Sequence, residues 1–288
     1  MSQELHEAGL TSAAKSTQNA SEYYFEFRGV TKAFDERVVL NNVSFQVKRA
    51  ETCVIMGRSG VGKSVSLKHI MGFLHADSGQ VFIDGTDVTD FSERQFEEIR
   101  RKVTMVFQSG ALFDSLTIEE NVAYPLLNQK SIRCSKSEAH TRVEQALEFV
   151  ELGGTLNKFP SELSGGMRRR AAIARAVVTE PPLVLYDSPT AGLDPITAHT
   201  IIALLIKERD VNHTTTLMVT NRYQDGNLMA NFRYNSKQGG LEPARNGARQ
   251  AQTVFMVMRE GRLIFEGDQD RLEASADSYI KKFVKPRE

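Results

Sequence analysis

The sequence predicts an α/β domain built around a parallel sheet, on three observations. Short unbroken apolar runs recur at Thr52 to Met56, Val103 to Phe107, Leu183 to Tyr186 and Leu217 to Val219, separated by helical stretches. Strands buried on both faces read this way because neither face meets water. The first run ends on a glycine-rich turn that leads straight into a helical segment. Ahead of it, Tyr23, Phe25 and Phe27, and then Val43, Phe45 and Val47, alternate with polar residues, the period of half-buried antiparallel strands.

The helices carry their own punctuation. Ser92 with Gln95 makes a capping-box pattern before Phe96 and Ile99, and Ser135 with Glu138 makes another before Val143, Ala146, Leu147 and Val150. Gly153-Gly154 reads as the stop of the second helix. These stretches form a mainly helical insertion, about Phe91 to Phe159 and, with the helix that follows, about 91–175. Asp194-Pro195 opens a further helix, with Asp as N-cap and Pro in the first turn. Tyr223 to Gln252 is polar and rich in Asn, Gln, Gly and Arg, so an exposed insertion is expected at about 223–252. Val254 to Met258 and Leu263 to Phe265 read as a hairpin around Gly261, followed by a C-terminal helix. Residues 1–21 hold Glu4, Glu7 and a single Lys without an apolar stretch, and read as a disordered leader rather than a secretory signal. Residues 22–288 form the folded domain.

Composition narrows the function classes. With 288 residues, 41% hydrophobic and 25% charged, the chain is long enough for a sizeable core. Its 36 Lys+Arg balance 36 Asp+Glu. A net charge of zero argues against nucleic acid, whose binders show a basic excess. The longest aliphatic runs, such as Ile201 to Ile206, fall far short of the roughly 18 residues of a membrane helix. Cys53 and Cys134 alone do not suggest a disulfide framework.

Gly57-Arg58-Ser59-Gly60-Val61-Gly62-Lys63-Ser64 fits G-x-x-x-x-G-K-[ST], after a buried strand and before a helix. Glycine lets successive backbone N–H groups turn inward around a phosphate, and the helix N-terminus adds its dipole. Lys63 is placed to neutralise β and γ oxygens and Ser64 to ligate Mg²⁺. Val65 withholds a hydroxyl that could have given the phosphates one more hydrogen bond. Asp187 closes the run Leu183-Val184-Leu185-Tyr186, at the strand edge where α/β sheets put ligand groups, and is a second candidate Mg²⁺ ligand.

Ser164 of Leu163-Ser164-Gly165-Gly166-Met167 lies 101 residues after Lys63 and 23 before Asp187. This order resembles the ATP-binding-cassette (ABC) superfamily, from about Phe25 to Lys282. The resemblance implies a P-loop NTPase nucleotide-binding domain: a RecA-like core with an antiparallel β subdomain and a helical insertion. It implies that Gln108 is the Q-loop residue linking Mg²⁺ and attacking water to a permease. Ala191-Gly192-Leu193-Asp194 becomes the D-loop, and Phe34 stacks on adenine. Two such domains meet head to tail, so Ser164, Gly165 and Gly166 contact, in trans, ATP bound by the other subunit. Val106 to Phe113 and Glu120 to Leu126, together with Met167, look like the ATPase subunit of Mla/Mce-type phospholipid transporters. That similarity implies a peripheral protein on the cytoplasmic face of a bacterial inner membrane, with an integral permease and an Mce-type lipid-binding partner. The run Arg168-Arg169-Arg170 reads as the solvated and interfacial side of the signature helix.

Two positions depart from the family pattern. After Asp187 the family has a glutamate that polarises water; here stands Ser188. The switch histidine after Thr220 is replaced by Asn221, and His213, eight residues earlier, does not align with it. A positioned general base is worth ~10²–10⁴ in rate, about 3–5 kcal/mol of barrier. Slow ATP turnover is therefore expected, the alternative being a degenerate ATP-binding clamp or the regulatory half of a heterodimer. A soluble cassette ATPase acting on DNA or ribosomes is disfavoured by the neutral charge, the single cassette and the lack of long heptads.

Overall fold

The computed structural model describes residues 22–129, 132–244 and 253–284. The expected leader and the last part of the 223–252 stretch lie outside these residues. Strand β1 (Tyr23–Phe34) turns into β2 (Arg37–Lys48), pairing Phe27 with Phe45 and Val30 with Val43 across an antiparallel hairpin. Strand β3 (Thr52–Met56) runs through the glycine-rich turn into α1 (Lys63–Ile70). Two further strands, β4 (Ser78–Ile83) and the short β5 (Thr86–Asp87), complete an antiparallel sheet of order β2-β1-β4-β5. Neither was marked by a clean alternation, since β4 pairs Val81 and Ile83 with β1 but begins on Ser78-Gly79.

Helix α2 (Glu93–Ile99) starts at Ser92, whose N–H donates to Gln95 Oε1 at 2.9 Å. Strand β6 (Val103–Val106) follows, so the mainly helical stretch expected from Phe91 is interrupted by a core strand. Beyond it come α3 (Ile118–Asn128), α4 (Lys136–Phe149), a 3₁₀ turn at Pro160–Glu162 and α5 (Gly165–Val177). The stop of α4 comes earlier than the glycine pair suggests. Glu151 takes the left-handed conformation at φ 57°, and Leu152 N donates to Leu147 O at 2.7 Å. Strand β7 (Leu183–Asp187), helix α6 (Pro195–Asn212) and strand β8 (Thr215–Thr220) follow, with Asp194 Oδ1 accepting from Thr197 N at 3.0 Å as the cap of α6.

The polar stretch after β8 is structured and partly buried, contrary to expectation. It forms α7 (Tyr223–Asn231), β9 (Phe232–Asn235) and β10 (Gly240–Pro243), and Tyr223, Asp225 and Met229 are buried. Buried Arg209 of α6 supports this segment through bonds to the carbonyls of Met229 (2.6 Å) and Phe232 (2.9 Å). Strand β11 (Thr253–Arg259) and β12 (Arg262–Gly267) make the expected hairpin, and α8 (Gln269–Glu273) and α9 (Ser278–Val284) close the chain. Beyond its hairpin role, β11 also pairs in parallel with β3, giving a sheet of order β12-β11-β3-β8-β7-β6.

This sheet divides the core. Cys53 and Ile55 of β3 face the antiparallel sheet, whereas Val54 and Met56 face the helices, and β7 and β11 alternate in the same way. A period-two strand with two apolar faces leaves no polar position, which is why these strands appear as unbroken runs. Among the described residues no helix is long and apolar enough to cross a membrane.

Candidate nucleotide site

The end of β3 and the start of α1 form a tight arch. A Cβ at Gly57 would lie 2.5 Å from Met258 O, and one at Gly62, where φ is +105°, would lie 2.7 Å from both Leu40 Cδ2 and Val39 O. Only glycine lets the chain pass this close to β2 and β11. Lys63 is buried, and its ammonium donates to the carbonyls of Gly57 (2.8 Å) and Arg58 (2.9 Å), curling back over the arch it closes. Burial holds its pKa below the usual lysine range, with Asp187 acting the other way.

Asp187 ends β7 directly across from α1. Its Oδ1 accepts from Ser64 Oγ at 2.9 Å and from Ser188 Oγ at 3.3 Å. Hydroxyl and carboxylate together make an all-oxygen donor set on one side of the cleft, the chemistry that suits a hard Mg²⁺ ion sharing its shell with phosphate. Ser188 stands in the left-handed region at φ 49°, its N–H bonded to Val219 O at 2.8 Å. The cleft, about 280 Å³, is lined by Val39, Ser59, Gly60, Gly62 to Val65, Gln108 and Ser188. The expected P-loop, Gln108, Asp187 and Ser188 are thus brought together. Arg58 and Val61 line a neighbouring hollow of about 550 Å³ with Arg37, Arg259 and Tyr279.

Other expected residues lie elsewhere. Phe34, 42% exposed at the β1–β2 turn, lies under the Lys32 ammonium at 5.7 Å and lines neither hollow. Ser164 caps α5, accepting from Met167 N at 3.2 Å; Gly165 has open space beside it, and Gly166 packs against Thr197. This signature edge is outside the cleft lining. Asn221 is exposed in the bend after β8, and His213 caps α6 at φ 53°.

Some residues bearing on the site were not singled out in the sequence. Tyr279 of α9 accepts from Arg58 N and donates to Met258 O, each at 3.2 Å, tying the C-terminal helix to the first peptides of the arch. The basic run on α5 is not simply solvated: Arg169 is buried and donates to Phe107 O (3.2 Å) and Ala191 O (3.4 Å), bridging the segments before Gln108 and after Ser188. Arg175 holds the next loop through Gly110 O (3.0 Å) and Ala111 O (2.9 Å). No local pattern marks these contacts, since each partner is distant in sequence.

Comparison with known proteins accords with this geometry. Residues 40–191 match the family described as ABC transporter. The intermembrane phospholipid transport system ATP-binding protein MlaF of Haemophilus influenzae is 32% identical over 260 residues, 90% of this chain and 89% of that protein. The probable ribonucleotide transport ATP-binding protein mkl of Mycobacterium leprae is 39% identical over 196 residues, 68% of this chain; the chain spans only 56% of that relative's length. The solved dimeric ATP-binding cassette MJ0796, bound to ADP and Pi in a post-hydrolysis state, superposes with a TM-score of 0.70 at 31% identity, covering 85% of this chain and 98% of that one. The glycine arch, the carboxylate facing it, the mixed sheets and these similarities lead to one conclusion: the chain belongs to the ABC transporter family and carries that family's ATPase cassette.

Proposed function

We propose that this chain is the ATP-binding subunit of a membrane transporter for lipid, phospholipid above all, that closes with a second nucleotide-binding subunit around Mg-ATP and hydrolyses it slowly. One observation carries the slow turnover: the residue beside Asp187 is a hydroxyl, Ser188, and neither a second carboxylate nor an imidazole is among the described residues lining the cleft. A serine hydroxyl orients water but does not take its proton near neutral pH.

In this reading the N–H groups from Gly57 to Val65 hold the phosphates, with Lys63 against the β and γ oxygens. Ser64 and Asp187 hold Mg²⁺ with Gln108 alongside; the ion, when bound, neutralises phosphate charge. Ser188 and Asn221 supply hydrogen bonds at the γ end, and Phe34 takes the adenine face. The other subunit's signature edge, equivalent to Ser164, Gly165 and Gly166 here, closes over the nucleotide. Phosphoryl transfer depends chiefly on positioning and charge stabilisation, so turnover persists without a base.

The membrane permease docks beside Gln108. Support comes from exposed Phe113 and Tyr124, whose rings lie 4.8 Å apart within a few residues of Gln108 and of exposed Leu127 in sequence. Phospholipid as cargo, an Mce-type lipid-binding protein in the complex, and a peripheral place on the cytoplasmic face of a bacterial inner membrane rest on the end-to-end similarity to MlaF. The mycobacterial relative's name gives ribonucleotide transport instead, so cargo follows the partner chains rather than the cassette.

A steady-state ATPase assay, alone and with the membrane partner, tests the reading. Against a typical enzyme turnover of ~10 s⁻¹, loss of the base predicts roughly 10⁻³ to 10⁻¹ s⁻¹. Ordinary turnover would refute it. Zero turnover with intact Mg-ATP-dependent pairing would select the second reading, a catalytically degenerate clamp or regulatory half of a heterodimer, which Ser188 and Asn221 also favour.

A further inference from the structure

Asp225, in the first turn of α7, is 1% exposed, yet the proposed chemistry does not use it. Its Oδ2 accepts from Thr190 Oγ1 at 2.6 Å and from Thr220 Oγ1 at 2.8 Å. These hydroxyls belong to two separate segments. Thr190 lies two residues beyond Ser188, and Thr220 immediately precedes Asn221. Thr220 Oγ1 in turn accepts from Arg222 N at 3.1 Å, and Arg222 Nε stands 3.5 Å from Asp225 Oδ1, so the bend carrying Asn221 is gripped on both sides. One backbone bond joins the same two segments, Ser188 N donating to Val219 O at 2.8 Å, and Ala191 N donates to Ser188 O at 3.0 Å to close the turn that carries Thr190.

The carboxylate is also anchored from behind. A Cβ at Gly226 would lie 2.6 Å from Phe255 and 3.1 Å from Val54, so α7 lies flush on β11 and β3, the strand that feeds the phosphate arch. Burial raises the Asp225 pKa, while the two threonine hydroxyls and Arg222 oppose the rise. A buried carboxylate accepting from hydroxyls on two separate segments keeps them at a set distance, because releasing either donor leaves a buried polar group unpaired.

We propose that Asp225 is the positioning residue of the hydrolytic end of the site: by tying Thr190 to Thr220 it fixes where Ser188 and Asn221 stand relative to the terminal phosphate. The proposal rests on the nucleotide-site reading above, and it acts through Ser188 and Asn221 rather than by contact with substrate. In a site whose two γ-end side chains are a hydroxyl and an amide, geometry carries what charge does not.

The test compares Asp225→Ala, Asp225→Asn and Thr220→Val in the full chain with Mg-ATP. For Asp225→Ala, losing one hydrogen-bonded anchor predicts a roughly ten-fold fall in turnover and an equal rise in hydrogen exchange at the Ser188 and Arg222 amides. Nucleotide Kd stays within about two-fold and β3 amides keep their protection, since neither depends on the clamp. Asp225→Asn, which retains an oxygen acceptor, restores both turnover and protection, while Thr220→Val, which also removes the acceptor of Arg222 N, lowers turnover and exposes the Arg222 amide at least as fully as Asp225→Ala. In a Ser188→Ala/Asn221→Ala background, Asp225→Ala produces no further fall, because the groups through which it acts are gone. A purely structural staple would instead weaken nucleotide binding and β3 protection together and lower turnover equally in both backgrounds, which overturns the proposal. Wild-type exchange at both amides in Asp225→Ala overturns it as well. If no protein in the series hydrolyses ATP, the slow-ATPase reading fails separately, and the exchange pattern still decides the role of Asp225.

Discussion

At one end of the cleft, the arch from Gly57 to Ser64, proposed above to hold phosphate, combines main chain with a buried ammonium and a hydroxyl bonded to Asp187. At the other, Ser188 offers a hydroxyl, and Asn221, in the exposed bend after β8, an amide, where the family pattern has a carboxylate and an imidazole. The first end is made mostly of main chain, constrained by close approaches at Gly57 and Gly62 that side chains would obstruct. The second depends on two side chains at bends, and both have changed. On the proposed function, binding nucleotide and hydrolysing it are separable properties: one residue pair is changed while the glycine arch stays whole.

The largest expected effect breaks that contrast directly. Ser188→Glu with Asn221→His raises turnover by ~10²–10⁴ without tightening Mg-ATP binding, and a steady-state assay reads it. No gain from the double change would defeat the argument from the missing base. Wild-type turnover should also be flat between about pH 5 and 8, where a histidine or a raised carboxyl would titrate. The double variant should acquire a pH-dependent limb.

Lys63→Ala attacks the other end. Charge-assisted bonds of roughly 1.5–3 kcal/mol each make Mg-ATP binding ~10- to 10²-fold weaker, as calorimetry would show. Normal binding in that variant would remove the phosphate-site assignment.

Glu208, 1% exposed on α6, lies away from both ends, and burial pushes its pKa from 4.5 up to about 7. A raised carboxyl pKa means that its contribution to stability is complete below about 4.5 and lost as pH rises through about 7. Denaturant titrations should find the wild type about 2–3 kcal/mol less stable on this account at the alkaline end, and Glu208→Gln should flatten the slope. Measured beside turnover, this separates a pH effect on folding from one on chemistry.

The smallest effect sharpens the contrast within the binding end. Tyr279→Phe removes the hydroxyl joining Arg58 N to Met258 O. At about 0.5–1.5 kcal/mol for one hydrogen bond, Kd for Mg-ATP rises about two- to ten-fold with kcat unchanged.

Much of the fold was legible in the chain. The strands at Thr52, Val103, Leu183 and Leu217 were readable because burial on both faces removes every polar position, and the caps at Ser92, Ser135 and Asp194 because an N-cap bond is local. The residues after β8 misled for the converse reason. Their polarity looks like exposure, but Asp225 is buried against the hydroxyls of Thr190 and Thr220, the carbonyls of Met229 and Phe232 are held by buried Arg209 of α6, and polar composition is silent about such pairing. The glycine pair after α4 misled because Glu151 itself takes the left-handed turn.

What the amino-acid order determined by itself was the phosphate arch, the facing carboxylate and the two departures beside them. Each is read within a few consecutive residues, where backbone geometry and residue type suffice. Only the tertiary structure decided which distant groups hold that machinery in place. Tyr279 reaches Arg58 across 221 positions, Arg169 reaches Phe107 across 62, and Asp225 reaches Thr190 across 35. β11 likewise found a parallel partner in β3 as well as its hairpin mate. The physical reason is that a buried hydrogen bond depends on two partners meeting away from water, and that meeting belongs to the packing of whole elements rather than to any local pattern.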